Sequence, residues 1–302
     1  MAKRLALIDA DEIAYKGAFA CQESGYIVKD GDRILWRNKK KADAIEQMEN
    51  YDWDIEKEVI PLDPQLGYDK IDNLISQTLS ASKSDDSRFF LSGDNNFRYE
   101  LATLVPYKSN RSEKPVNLPL MKEYFQYKAA ESIDFLEADD LLSAYQGNVD
   151  GWETVICTQD KDLRTVPGLN YNPNSKKVTD ISVMEARKNF YYQILIGDPT
   201  DSIPHPNGLG PKYASKIVDS LFEREEEESV WYDEMVEAYS FHLFKGKEVS
   251  HPSSPEEPNE IIWKTPWYNG QDVHEVIWEV ANLLHMHRTT DETERWERPS
   301  VN

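Results

Sequence analysis

Short apolar runs that stop abruptly at acidic residues set the rhythm of this chain. Leu5-Ala-Leu-Ile8 halts at Asp9-Ala-Asp11. Four apolar residues without polar alternation read as a strand buried on both faces, followed by a polar loop. Arg88-Phe-Phe-Leu-Ser92 ends at Gly93-Asp94, and Thr154-Val-Ile-Cys-Thr158 ends at Gln159-Asp160-Lys-Asp162; these give a second and a third core strand. The pattern turns helical over 12–20, near 68–80, over 117–130 and from Glu137 through Tyr145. Tyr26 to Trp36 places Asp30-Gly31 between two β-type segments and predicts a hairpin. Helix, loop and helix run through 182–221, and a last amphipathic helix spans roughly 271–287. Residues 22–82 read as an insertion between the first two core strands. Residues 222–260 are acidic, contain Pro252, Pro255 and Pro258, and read as a linker or insertion. No internal repeat is present.

Alternating strands and helices predict an α/β fold with a central, mostly parallel twisted sheet flanked by helices. Each of the three core strands ends in acid: Asp9, Asp94, and the pair Asp160 and Asp162. Ligand sites of open α/β sheets lie at the carboxyl ends of the strands, so these acids are expected to converge on one edge.

Composition bounds the function classes. A chain of 302 residues with 39% hydrophobic and 11% aromatic content is globular rather than disordered. No apolar run approaches the ~20 residues needed to span a bilayer. The start reaches Asp9 too soon for a signal-peptide core, so a cytoplasmic location is expected (host cytoplasm if phage-encoded). Cys21 and Cys157 are far apart, lack metal-ligand spacing, and read as buried thiols. The net charge of −21 opposes a nucleic-acid partner if spread evenly, but it is not. Residues 222–260 carry 12 acids against 3 bases, whereas 98–128 carry 6 bases against 3 acids.

The acids carry the candidate chemistry. Asp9 and Asp11, Asp94, Glu137 with Asp139 and Asp140, Asp160 with Asp162, and Asp198 with Asp201 recur in short apolar contexts. Like charges gathered together are costly unless cations neutralise them, and all-oxygen donor sets suit Mg²⁺ or Mn²⁺. Two such ions can activate water and stabilise the leaving oxygen of a phosphodiester. Capping a helix or facing solvent explains any one pair; three acids in four at Glu137-Ala-Asp-Asp140 exceed what capping needs. In 197–214, Asp198 and Asp201 precede Gly208-Leu-Gly210-Pro-Lys212-Tyr-Ala214. The glycines there let backbone N–H groups approach a phosphate at a helix N-terminus, with Lys212 adding charge. Around Tyr107-Lys108-Ser-Asn-Arg111-Ser-Glu-Lys114, Tyr107 is placed to stack on a terminal base. Lys108 and Arg111 are placed to hold the scissile phosphate.

Taken in order, Leu-Ile-Asp9-Ala-Asp11, Gly-Asp94-Asn-Asn-Phe-Arg98, Tyr107-Lys108-Ser-Asn-Arg111, Glu137-Ala-Asp139-Asp140, Thr-Gln-Asp160-Lys-Asp162-Leu and Gly-Asp198-Pro-Thr-Asp201 resemble the flap endonuclease/5′-3′ exonuclease family. That family includes phage 5′ exonucleases and the 5′-nuclease domain of bacterial DNA polymerase I. The resemblance covers about residues 3–220 apart from 22–82. It implies a PIN-like nuclease fold with a helical arch over 98–130 and a helix-hairpin-helix module over 194–220. It divides the chain into a nuclease core, 1–221, and an acidic linker with a helical extension, 222–302. It implies a first metal site of Asp9, Asp94, Glu137, Asp139 and Asp140, and a second formed or supported by Asp160, Asp162, Asp198 and Asp201. Asp11 is a neighbouring acid at a position the family fills variably. Lys108 and Arg111 are the implied catalytic residues, the positively charged pair at the foot of the arch. Tyr107, Lys114, Gly208, Gly210 and Lys212 are the implied DNA contacts, and K⁺ is a ligand of the hairpin turn.

The function implied is Mg²⁺- or Mn²⁺-dependent, two-metal 5′-3′ exonuclease and flap endonuclease action on DNA with free 5′ ends, flaps or nicks, extending to RNA in RNA–DNA hybrids. Two other classes compete. One is a non-catalytic helix-hairpin-helix DNA-binding protein, which has no reason to maintain so much charge repulsion. The other is a toxin-like ribonuclease, a class of usually much shorter chains without the hairpin module.

Overall fold

The computed structural model describes residues 3–46, 53–245, 247–249, 261–263 and 265–299. Strand β1 (Lys3–Asp9) runs directly into α1 (Ala10–Ala20). β2 (Gln22–Asp30), β3 (Arg33–Asn38), α2 (Lys41–Glu46) and β4 (Asp54–Pro61) follow, then α3 (Pro64–Ser82), β5 (Asp86–Phe90), α4 (Arg98–Leu101) and α5 (Leu118–Tyr127). Next come α6 (Ala138–Tyr145), β6 (Trp152–Cys157), a 3₁₀ turn at Asp162–Thr165, β7 (Gly168–Asn172), β8 (Lys177–Ile181), α7 (Val183–Ile196) and α8 (Pro211–Glu223). α9 (Glu228–Lys245), β9 (Lys247–Val249), β10 (Ile261–Trp263) and α10 (Val273–Leu284) end the chain.

The central sheet has the order β5-β1-β6-β7-β8. β1 pairs in parallel with β5 and β6, β6 with β7, and only the edge strand β8 is antiparallel. The apolar continuity of β1 has the predicted cause. Ala6 and Ile8 pack on one face with Ile13, Ile71 and Met121 from α1, α3 and α5. Leu5 and Leu7 pack on the other with Phe97, Leu141 and Leu142. Each fully buried aliphatic side chain contributes roughly 1.5–3 kcal/mol, so this strand anchors both layers. The third body of core joins α7, α8, α9 and α10 around Trp231, Tyr239 and Ile277.

At the carboxyl edge the chain must pass close to its neighbours. Gly93 donates its N–H to the Leu136 carbonyl at 2.9 Å, and a Cβ there would lie 2.0 Å from the Ile133 carbonyl oxygen. Only glycine fits, and this contact brings the Asp94 loop beside the start of α6.

Three sequence expectations are corrected. Residues 22–82 are not one insertion: 22–61 form a separate antiparallel sheet of order β3-β2-β4, while α3 carries Ile71 and Ile75 into the main core. Polar spacing masked that apolar stripe. The acidic 222–260 segment is not a plain linker, because α9 occupies Glu228–Lys245 and buries Trp231, Met235 and Tyr239. Its many acids lie between these buried positions on a helix; residues 250–260, with the three prolines, lie outside the described residues. Within 98–130, only α4 and α5 are helical, and 102–117 is coil and turn.

Candidate active site

Asp9 closes β1 and caps α1, its Oδ1 accepting from Glu12 N at 2.9 Å. Burial, then the charges of Asp11, Glu12 and Asp160, pushes its carboxyl up to about 8. Asp94 stands exposed on the loop after β5. Glu137 is the N-cap of α6 and Asp139 lies in its first turn. Burial and the charges of Asp160, Asp9 and Glu137 raise the Asp139 carboxyl well above the ordinary range. Its Oδ1 is buried and has no hydrogen-bond partner. Asp160 follows β6 and accepts from Asp162 N at 2.8 Å. Burial, with Asp201 and Asp198 nearby, raises its pKa. Asp162 is pushed up to about 8 by burial, Asp160 and Asp198, and Gln193 Nε2 donates to its Oδ1 at 2.6 Å.

The loop between α7 and α8 brings the last pair. Gly197 has a φ of 61°, a conformation side chains resist. A Cβ there would lie 2.4 Å from the Ile203 carbonyl oxygen. The tight turn it permits is closed by reciprocal backbone bonds between Asp198 and Ile203. Burial raises the Asp198 carboxyl, but the Lys161 hydrogen bond and the Thr200 N–H outweigh it, and its pKa falls. Lys161 Nζ lies 3.1 Å from Asp198 Oδ2.

These residues share one cleft with two lobes. The larger, about 430 Å³, is lined by Asp9, Asp94, Glu137, Asp139 and Asp160. The smaller, about 130 Å³, is lined by Asp160, Asp162, Asp198 and Asp201; Lys108, Arg111, Glu137, Asp139 and Asp160 belong to both. Among the described residues, no three acid, histidine or cysteine side chains converge as a ready metal-binding group. Protein cations explain why. Lys108 Nζ donates to Glu137 and lies 3.6 Å from Asp201. Arg111 bonds Asp201 at 2.9 Å, and Lys161 holds Asp198. Glu137, Asp198 and Asp201 are turned toward lysine and arginine. An all-oxygen donor set, a buried unpartnered Asp139 oxygen and carboxyls that resist ionisation nevertheless fit a hard divalent cation.

Two expected site residues are engaged differently from the expectation. Asp140 faces away from the cleft: both its oxygens bond Arg98, at 2.7 and 2.8 Å, in a fully buried pair. Burial raises its carboxyl, yet the Arg98 charge and hydrogen bonds win and its pKa is lowered. Neighbouring positions on a helix point ~100° apart, so Asp139 and Asp140 cannot serve one point. Tyr107 is buried rather than free to stack on a base, and its hydroxyl donates to Glu137 at 2.9 Å and Asp201 at 3.0 Å. Asp11 lines the larger lobe but is engaged by Ser92 N at 2.8 Å and Lys122 Nζ at 2.5 Å. Lys114 lies on the rim. Gly208 has a φ of 90°, Gly210 is the N-cap of α8 with no side-chain cap, and Lys212 is exposed in the first turn. These three lie outside the cleft lining.

Four contributors escaped the sequence reading. Arg98 entered only as one base among six and as the end of the Gly-Asp94-Asn-Asn-Phe-Arg98 motif, with no role assigned. Glu12 fixes the loop after β6 by accepting from Thr158 Oγ1 at 3.0 Å and Gln159 N at 2.7 Å. Lys161 and Gln193 hold the second group of acids. Only the acidic context around Lys161 was a signal available in the sequence.

Fold and site define a class: an α/β protein with an acidic, cation-seeking cleft at the carboxyl edge of a mostly parallel sheet. No profile of a known protein family matches the chain. It is similar to the DNA polymerase I of Caldicellulosiruptor bescii, 30% identical over 143 residues, 40% of this chain and 17% of that one. It is also similar to the 5′-3′ exonuclease of Aquifex aeolicus, 30% identical over 129 residues, 37% of this chain and 45% of that one. The aligned region thus spans less than half of either relative. Among solved structures, the bacteriophage T5 flap endonuclease in complex with DNA and metal ions superposes with a TM-score of 0.46 at 14% identity, over 73% of this chain and 76% of that one. By sequence the chain thus resembles members of the flap endonuclease/5′-3′ exonuclease family over part of its length.

Proposed function

We propose that this chain is a divalent-metal-dependent nuclease that hydrolyses DNA from 5′ ends and at 5′ flaps. The observation that carries this reading is the delivery of Asp9, Asp139, Asp160 and Asp162 into one cleft, where burial and mutual repulsion raise all four carboxyls. A binding module has no use for such repulsion. Asp9, Asp94, Glu137 and Asp139 would hold one Mg²⁺ or Mn²⁺ ion, and Asp160, Asp162, Asp198 and Asp201 a second. Such ions supply water activation and stabilisation of the departing oxygen.

The protein's own groups do the rest. Lys108 and Arg111 sit over the acids and change partner from carboxylate to phosphate as substrate enters. There they neutralise charge developing in the transition state. Lys108 adopts a φ of 55°, held by its N–H donating to the Asp201 carbonyl at 2.8 Å. A residue other than glycine takes that backbone form at a cost of roughly 1–2 kcal/mol, here directing its ammonium into the cleft. Tyr107 orients Glu137 and Asp201. Lys114 extends the positive rim. The N-terminus of α8, with Gly208, Gly210 and Lys212, presents free backbone N–H groups to duplex phosphate, and the carbonyls of that turn would hold K⁺. RNA in RNA–DNA hybrids is a further proposed substrate of the same cleft.

Digestion of 5′-labelled flap, nicked, blunt and single-stranded DNA, with and without Mg²⁺, tests the proposal. Metal-dependent release of short 5′ products, greatest from flaps and nicks, is expected. Equal cutting by wild type and Asp139→Ala, or no cutting of any substrate, would overturn it.

A further inference from the structure

The β2–β3–β4 sheet does not line the cleft, and the stretch through β3 is locally basic in an otherwise acidic chain. Residues 29–41 contain six bases (Lys29, Arg33, Arg37, Lys39, Lys40, Lys41) and two acids (Asp30, Asp32). Lys29 and Arg37 are spent on Glu56 and Glu58. Arg33, Lys39, Lys40 and Lys41 are exposed and form no ion pair among the described residues. Trp36 lies between them on β3, 41% exposed, its ring 5.1 Å from Trp53. β3 is the outer strand of its sheet. At ~3.3 Å per residue the strand spans about 20 Å between Arg33 at its start and the lysines that follow it, with Trp36 in between.

The position of this sheet relative to the cleft adds the second observation. α1 runs from Asp9 at the cleft to β2 at its far end, a distance of ~16 Å for 11 residues. The segment after Lys108 travels the same way along the surface. It carries the exposed Arg111 and Lys114 and reaches the root of the sheet, where Val116 N donates to Gln22 Oε1 at 3.1 Å and Asn117 Nδ2 to the Cys21 carbonyl at 2.9 Å. β3 runs back toward this root, its last residue Asn38 pairing with Tyr26 in the middle of β2, and Lys39–Lys41 follow in the turn into α2. A basic track therefore leads from the cleft mouth to a cationic strand bearing an open tryptophan. Spaced cations with an interleaved aromatic suit single-stranded nucleic acid, whose backbone meets the charges and whose bases stack.

We propose that Arg33 and Trp36 of β3, with Lys39–Lys41 in the turn into α2, form a second nucleic-acid contact, which holds a single strand several nucleotides away from the cleft. This extends the nuclease reading by assigning a strand path outside the site, but its test needs no cleavage. Fluorescence anisotropy of a labelled oligothymidylate of about 15 nucleotides, in chelator, measures binding alone. The triple variant Lys39→Gln/Lys40→Gln/Lys41→Gln is expected to weaken binding about tenfold and to flatten the slope of log affinity against log salt by roughly 2, given ~0.7 per single-strand phosphate contact. Trp36→Ala is expected to weaken it at least about fivefold. The surface lysine variant keeps the test valid if Trp36→Ala disturbs the sheet, as thermal melting followed by circular dichroism would show. Binding by the lysine variant within twofold of wild type overturns the proposal. So does tighter binding of polyglutamate than of oligothymidylate, which would assign the face to an acidic protein. A chain that binds the oligonucleotide through this face yet cuts no DNA sinks the nuclease reading alone.

Discussion

Asp139 concentrates the chemistry of the cleft in one side chain. It is buried, its Oδ1 is unpartnered, and Asp160, Asp9 and Glu137 all oppose its ionisation. Asp139→Asn removes a charge the metal-free fold does not welcome, so two effects of opposite sign are expected. Cleavage with Mg²⁺ drops by at least ~10²-fold, as measured by single-turnover digestion. Urea unfolding of the chelated protein shows equal or greater stability than wild type. Asp9 and Asp162 make the related prediction about pH. Both carboxyls are lifted from 3.8 to about 8 in the folded chain, so between those values the folded state binds more protons than the unfolded one. Stability of the metal-free protein therefore falls as pH rises from about 5 to about 8. Mg²⁺ should cancel most of that fall by neutralising the ionised groups. Melting temperatures with and without chelator, across that range, check it; a metal-free protein that gains stability with pH contradicts the assigned environments.

The elements that deliver these residues are held by a buried ion pair as well as by apolar packing. Arg98, at the start of α4, bonds Asp140 of α6 through two nitrogens and donates to the carbonyls of Leu283 and His285, at the end of α10. One guanidinium thus ties the loop after β5, the helix carrying Asp139, and the C-terminal segment. Arg98→Ala leaves Asp140 as an uncompensated buried charge and should cost about 3–5 kcal/mol of unfolding free energy; replacing Arg98 by a lysine should recover only part, because the forked geometry is lost. Gly197→Ala is predicted to destabilise by about 1–3 kcal/mol, since φ and the Ile203 carbonyl both resist a Cβ, and to displace Asp198 and Asp201. The three core strands and the helices beginning near 117, 137 and 182 were legible because apolar runs and caps act locally. β7 and β8 were not, because strands of only five residues carry little periodicity. α9 was hidden by its acids, though its tryptophan and tyrosines are what it buries. Asp140 and Tyr107 were misassigned for a different reason: motif spacing names residues but not the direction a helix turns them, nor the buried partner 42 residues away that captures one.

Across the whole molecule, a net charge of −21 coexists with a local basic surface from Lys108 to Lys41. Long-range repulsion of DNA is screened beyond ~10 Å at ordinary salt, so the local track decides contact once a strand is close. Charge segregation of this kind predicts that affinity for single strands peaks at moderate ionic strength rather than at the lowest, measurable by the same anisotropy titration. The site's convergence was legible at this scale from a single rule, that strands of a parallel sheet end on one edge. The central claim is that carboxylates from separate elements form one cleft which cations must fill. The most direct measurement is calorimetric titration of Mn²⁺ into the chelator-stripped protein, wild type beside Asp139→Asn and Asp160→Asn. Saturable binding near two equivalents, weakened by about tenfold or more in both variants, is the predicted result; identical isotherms for all three proteins would contradict it.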